Sequence, residues 1–121
     1  DHAEALIRIA TEGRIGESYN VGGDAERTNL QVVEAICDLL DDRLGKAGGP
    51  RRRLIEFVTD RPGHDRRYAI DAGKIAAELD WRPRQSFETA LALTVDWYLA
   101  NDWWWRPIRE GRYAGERLGA G

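Results

Sequence analysis

Proline at 62 followed by glycine at 63 forces the chain to turn directly after an apolar run, Leu54-Ile55-Glu56-Phe57-Val58. This bend limits the fold more than any other feature. Pro62 fixes its own φ, removes a hydrogen-bond donor and drives Arg61 toward extended backbone. Gly63 admits the conformations that a sharp reversal needs. By its alternation and its β-branched and aromatic content, the apolar run reads as a buried strand. Past it the chain carries Arg61, His64, Arg66 and Arg67, three arginines and one of only two histidines within seven positions. Guanidinium groups are planar, permanently charged forks of donors, so a rigid bend presenting them suits a diphosphate or another dense anion. The same residues make a plain solvated turn if the arginines pair with Asp60, Asp65 and Asp71, and composition alone favours that second reading.

Elsewhere helical periodicity alternates with short extended pieces. Ala3, Leu6, Ile7 and Ala10 fall on one helical face, with Gly13 as terminator. Ser18 to Val21 reads as a short strand that ends at Gly22-Gly23, with Tyr19 and Asn20 in structural roles. A second helix starts at Thr28 or Asn29, either of which is a competent cap, buries Val32, Val33, Ile36, Leu39 and Leu40, and stops before Gly45. After the strand at 54–58 and the bend comes a brief extended piece, Tyr68 to Ile70. Asp71 reads as the cap of a short helix over Ala72 to Leu79, broken by Trp81-Arg82-Pro83. Ser86 caps the last long helix, whose stripe is Phe87, Leu91, Val95, Tyr98 and Leu99. The expected fold class is a small α/β unit, α+β-like, mostly helical with a few short strands. Three consecutive tryptophans, Trp103 to Trp105, cannot all face one core, because neighbouring side chains diverge. One or two are expected to pack back on the domain and another to meet a separate domain.

A chain of 121 residues with 42% hydrophobic content suits one small domain. Its net charge of -3 argues against a general nucleic-acid binder, and Arg51-Arg52-Arg53 reads as a solvated loop. Cys37 is the sole cysteine, so no internal disulfide forms, and its apolar neighbours suit a small buried hydrophobe. No apolar run reaches membrane-spanning length and no signal-peptide pattern opens the chain, so a cytoplasmic setting without membrane contact is expected. The chain opens on Asp1 inside a helical pattern and contains no methionine, which predicts a fragment of a longer protein.

The run Asp60 to Asp71 resembles a segment in the carboxy-terminal domain of dTDP-glucose 4,6-dehydratases, members of the extended short-chain dehydrogenase/reductase group. Gly16 to Gly23, Thr28-Asn29-Leu30, Ile36 to Asp41, Asp71 to Ile75, Leu79 to Pro83 and Thr94 to Asn101 are similar to that family in the same order. The likeness runs to about Tyr113, which gives a substrate-binding domain at 1–113 and a tail at 114–121. The Tyr-Asn-Val-Gly-Gly and Trp-x-Pro pieces are shared by many sugar-nucleotide enzymes, whereas the run from Arg61 to Asp71 is far more specific to the dehydratases.

No Gly-x-Gly-x-x-Gly turn appears, and none of the four tyrosines is followed four residues later by lysine. The fragment is therefore expected to carry no catalytic, cofactor-binding or metal-binding residue, and to be inactive alone. The resemblance implies that NAD and the catalytic groups sit in an upstream domain, and that the parent is a homodimer through that domain. It implies that Asn29, Arg61 and His64 hold the nucleoside diphosphate end of dTDP-glucose. The parent lyase would make dTDP-4-keto-6-deoxyglucose and water by internal redox and elimination. Two alternatives stay open: the substrate domain of another nucleotide-sugar epimerase or decarboxylase, and a non-catalytic interaction module built on the tryptophans and arginines.

Overall fold

A computed structural model of the chain describes residues 1–23, 25–63 and 69–111. Five α-helices follow one another: α1 His2–Glu12, α2 Asn29–Leu44, α3 Gly73–Leu79, α4 Phe87–Ala100 and α5 Asp102–Gly111, with a 3₁₀ turn Arg51–Leu54 between α2 and α3. They pack as two groups. In one, α1 lies on α3; in the other, α2 packs on α4 and on the 3₁₀ turn, and α5 folds back on α4.

Each helix starts and stops for a local reason. Thr28 caps α2 in a reciprocal box: its hydroxyl accepts from the Gln31 amide while the Gln31 side chain accepts from the Thr28 amide. Asn29 is thus the first helical residue and not the cap. Ser86 caps α4 by accepting from Thr89 N–H. At α3 the cap position belongs to Ala72, yet Asp71 still serves the end, since its Oδ1 accepts from Gly73 N–H at 2.8 Å. α1 stops at Gly13, where a Cβ would stand 2.4 Å from the Ile9 carbonyl oxygen, so only glycine lets the chain leave there.

The tightest core lies between α1 and α3 and consists of Ala5, Ile75, Leu79 and Trp81, with Ile9, Tyr19, Val21 and Ala72 packed against it. This core rotates α1 away from its expected orientation. Ala3, Leu6, Ile7 and Ala10 are all exposed, and an adjoining face, Ala5 and Ile9, is the one turned inward. A polar contact explains the rotation. Arg8 Nη1 donates to the Leu79 and Asp80 carbonyls at 2.7 and 2.9 Å, closing the end of α3 where Asp80 takes a left-handed φ of 46°. On the same side, Arg84 donates to Glu4 at 2.8 Å, and Asp1 Oδ2 accepts from the Arg84 and Gln85 amides. These bonds fix which side of α1 faces the domain, whatever its apolar stripe would prefer.

Two further expectations are corrected. Among the described residues there is no strand: the segments at 18–21 and 55–58 have no regular secondary structure. Leu54 ends the 3₁₀ turn instead, and Phe57 and Val58, expected to be buried, are 84% and 70% exposed. A strand exists only when a neighbour satisfies its amides and carbonyls, and none lies alongside here. The helical majority of the expected fold is present. Second, Arg51 and Arg52 are not a solvated loop. Arg51 Nη1 and backbone N–H donate to Asp41, and Arg52 Nε donates to Asp38 at 2.7 Å, clamping the 3₁₀ turn onto α2.

The tryptophan run diverges as its spacing requires. The Trp105 indole is half-buried and donates to the Tyr98 carbonyl at 3.0 Å, Trp104 meets Trp97 edge to face, and Trp103 remains 67% exposed.

Candidate functional site

The candidate site begins at the α2 N-terminus. Thr28 and Gln31 satisfy each other, so the amides left without an intrahelical partner at this end are those of Asn29 and Leu30. Both residues are exposed. Two outward N–H groups, the Asn29 carboxamide and the positive end of a 16-residue helix dipole make a surface that favours an anion.

Arg27, immediately before the cap, was not singled out from the sequence. Its guanidinium lies 5.3 Å from the Phe87 ring centroid and donates to Glu88 Oε1 at 2.7 Å. That bond holds the Glu88 carboxyl below its ordinary range. Arg27, Gln31, Asp38, Phe87 and Glu88 line a cleft of about 330 Å³ between the starts of α2 and α4. No local signal marks this clamp, because its partners are 61 residues apart in the chain.

The second predicted element is the bend. Residues 62–63 form a turn and Gly63 takes φ +71°, the left-handed reversal read from the sequence. Arg61 is exposed, and its backbone N–H donates to Asp60 Oδ1 at 2.8 Å, which fixes the entry to the turn. No hydrogen bond or ion pair joins Asn29 to Arg61 among the described residues. His64, Arg66 and Arg67 lie outside the described residues, as does the tail at 114–121.

A glycine-rich cleft of about 310 Å³ lies between the Gly22-Gly23 pair and α3, lined in part by Gly22, Gly23, Asp71, Gly73 and Arg82. It is not a dinucleotide cradle. A Cβ at Gly22 would stand 3.1 Å from the Ile70 side chain, so this glycine admits a neighbouring side chain rather than a pyrophosphate. This cleft therefore does not fit a dinucleotide pyrophosphate. No group of three or more metal-ligating side chains occurs among the described residues, and no described helix is long and apolar enough to cross a membrane.

Tyr19 and Lys74 do meet in space, with the ammonium 4.7 Å from the ring centroid. Both polar ends are engaged structurally. The Tyr19 hydroxyl accepts from Arg14 N–H and donates to Glu78, and Lys74 donates to Glu17 at 2.6 Å and to the Ser18 carbonyl. This network ties 17–19 to α3, the structural role read for Tyr19.

Comparison with known proteins is consistent with this geometry. The family model described as GDP-mannose 4,6 dehydratase matches residues 1–94, and the chain belongs to that family. Among its relatives, a dTDP-glucose 4,6-dehydratase of Xanthomonas campestris pv. campestris (strain B100) is 55% identical over 121 residues, covering 99% of this chain and 34% of the relative. The Salmonella typhimurium (strain LT2) dTDP-glucose 4,6-dehydratase is 55% identical over 113 residues, covering 93% of this chain and 31% of its own length. The chain thus spans about a third of the length of the curated relatives it matches. Among solved structures, dTDP-glucose 4,6-dehydratase from Bacillus anthracis str. Ames in complex with NAD aligns at a TM-score of 0.75 and 47% identity, over 88% of this chain and 31% of that one. A Streptomyces venezuelae dTDP-glucose 4,6-dehydratase with NAD and TYD bound aligns at 0.72 and 40% identity, with the same coverage of 88% and 31%. These neighbours have the extended short-chain dehydrogenase/reductase fold.

Proposed function

We propose that this chain is the substrate-binding part of a dTDP-glucose 4,6-dehydratase and grips the nucleoside diphosphate end of dTDP-glucose. The observation that carries the reading is identity of 51–55% to proteins of that name across nearly the whole chain. The geometry supplies its chemistry. Asn29 and the two outward amides at the α2 N-terminus would accept one phosphate, and Arg61 would present a forked donor to the diphosphate from a bend stiffened by Pro62. His64 would meet a ribose hydroxyl or phosphate oxygen.

In this reading the parent makes dTDP-4-keto-6-deoxyglucose and water. NAD would be held by the part of the protein outside this chain, since no Gly-x-Gly-x-x-Gly turn occurs in these 121 residues. The contribution of this chain is positioning: binding energy collected at a remote diphosphate holds the hexose against reacting groups elsewhere. The parent would be a homodimer through that other part, which sedimentation of the intact protein tests.

Titration calorimetry of the intact protein against dTDP, with UDP as the competitor, tests the assignment. Tighter binding of dTDP supports it. Preference for UDP moves the chain to the epimerase or decarboxylase reading, and absence of nucleotide binding removes the substrate role altogether.

A further inference from the structure

α2 is pinned to its neighbours along most of its length, but its N-terminal end is held differently. Glu34, Asp38 and Asp41 pair with Arg51 and Arg52 of the 3₁₀ turn, and Arg43 donates twice to Asp96 of α4, at 2.7 and 3.1 Å. All of these ties sit in the second turn of the helix or beyond. At its start α2 faces α4 across the cleft of about 330 Å³ instead of packing tightly against it. Arg27 spans that gap. Its Nη2 donates to Glu88 Oε1 in the first turn of α4, its Nη1 donates to the Glu26 carbonyl at 2.9 Å, and the guanidinium lies over the Phe87 ring. One side chain thus grips both the chain just before the Thr28 cap and the start of α4.

We infer that Arg27 is a positioning residue for nucleotide binding: through Glu88 and Phe87 it sets where the α2 N-terminus, with Asn29, stands relative to the rest of the domain. The capping box cannot do this. Thr28 and Gln31 bond to each other, so the box shapes the first turn without tying it to another element. Asn29 lies two residues beyond Arg27, no more than about 7 Å of chain, and the capped turn between them is stiff. A shift at Arg27 therefore reaches the Asn29 carboxamide. Hydrogen bonds weaken steeply once their angle and distance are lost, so such a shift costs affinity. As a stabiliser of the fold the clamp is weak by comparison. The Arg27 and Glu88 side chains are 37% and 66% exposed, and exposed pairs contribute little to folding. Arginine suits the task because its plane can lie on Phe87 while its two outer nitrogens donate in different directions.

This inference rests on the reading that this helix end meets the diphosphate of the nucleotide. Titration calorimetry of the intact protein with dTDP tests it. Arg27→Gln and Glu88→Gln are each expected to weaken binding roughly three- to ten-fold, and the double variant no more than the worse single one, because both break the same clamp. Their urea midpoints should stay close to that of the unaltered protein. Arg27→Lys, which keeps a charged donor toward Glu88, should recover part of the affinity. Arg43→Gln breaks the pair at the far end of the same two helices and should leave the affinity in place. The sign of Glu88→Gln separates positioning from charge. If Arg27 touched the diphosphate itself, or acted only by cancelling an acid, removing the Glu88 charge would tighten dTDP binding, and that result overturns the proposal. Unchanged affinity in Arg27→Gln overturns it too, as does an equal loss in Arg43→Gln, which would make the clamp a structural tie like any other. Asn29→Ala in the same series separates the two readings. A loss there with full affinity in Arg27→Gln sinks the positioning role alone, whereas no dTDP binding by the unaltered protein sinks the substrate assignment and this role with it.

Discussion

Single side chains divide into those that hold the domain and those that would hold a ligand, and burial separates them. Ile75 is completely buried against Ala5, Leu79 and Trp81, so Ile75→Ala removes packing that the small α1–α3 core cannot replace. A loss of about 2–5 kcal/mol is expected, read as a lower urea midpoint of the intact protein with unchanged slope. Arg61 is the opposite case. It is exposed at a bend, makes no contact with that core, and Arg61→Ala should leave the urea midpoint in place. Its effect belongs to binding: dTDP affinity of the intact protein should fall by roughly 1.5–3 kcal/mol, the scale of hydrogen bonds to a charged group. Unchanged affinity in calorimetry would take Arg61 off the site. The bend itself was readable because proline and glycine act on their own backbone, and the φ of +71° at Gly63 is the reversal expected. Arg27 was not readable, since nothing near it in the chain announces Phe87 and Glu88 as its partners.

At the scale of elements, caps were legible and faces were not. Thr28, Ser86 and Gly13 act within three or four residues of themselves, so local chemistry determines them. The orientation of α1 depends on carbonyls left open 71 and 72 residues later, at Leu79 and Asp80, which no periodicity can express. The same holds for the segment at 55–58, whose alternation is that of a strand but which has no neighbour here to complete a ladder. Because the Thr28 box orders the start of α2, Thr28→Ala should cost about 1 kcal/mol of stability and also weaken dTDP binding by loosening the Asn29 and Leu30 amides. A loss of stability with full affinity would show that the helix end does not meet the ligand.

α2 also carries an acid-sensitive clamp. Hydrogen bonds from Arg52 hold the Asp38 carboxyl below its ordinary value of 3.8, and Arg43 does the same for Asp96. Burial raises the Asp41 carboxyl, but hydrogen bonds from the Arg51 side chain and backbone outweigh it and the balance is downward. Each of these groups is lowered on folding, so its contribution is complete above the ordinary carboxylate range and disappears as pH falls through the lower folded-state values. Urea midpoints should hold steady from neutral pH down to about pH 5 and fall below pH 4. Arg52→Met, which returns Asp38 toward its ordinary value, should make that acid-side fall shallower. An identical pH profile in the variant would show that the Arg52 pair is too solvated to matter.

For the whole molecule, the division of labour follows from what the folded chain does and does not contain. Its two helical groups bring an anion-favouring helix end and an arginine bend to the surface, while the space at Gly22 is filled by Ile70 and the Tyr19–Lys74 encounter is spent on Glu78, Glu17 and Ser18. A hydride-transferring site needs a cofactor cradle and a free acid–base pair, and neither the cleft at Gly22 nor the Tyr19–Lys74 contact is one. The chain covers only 31% of the NAD-bound dehydratase from Bacillus anthracis, which leaves most of that protein to carry them. The purified 121-residue chain should therefore form no 4-keto sugar from dTDP-glucose with or without added NAD, whereas the intact protein should form it. A chromophoric assay for the keto product, run on both, decides the matter. Turnover by the short chain at any rate that scales with its concentration would mean that the reacting groups lie among these residues after all, and Tyr19 with Lys74 would be the first pair to substitute.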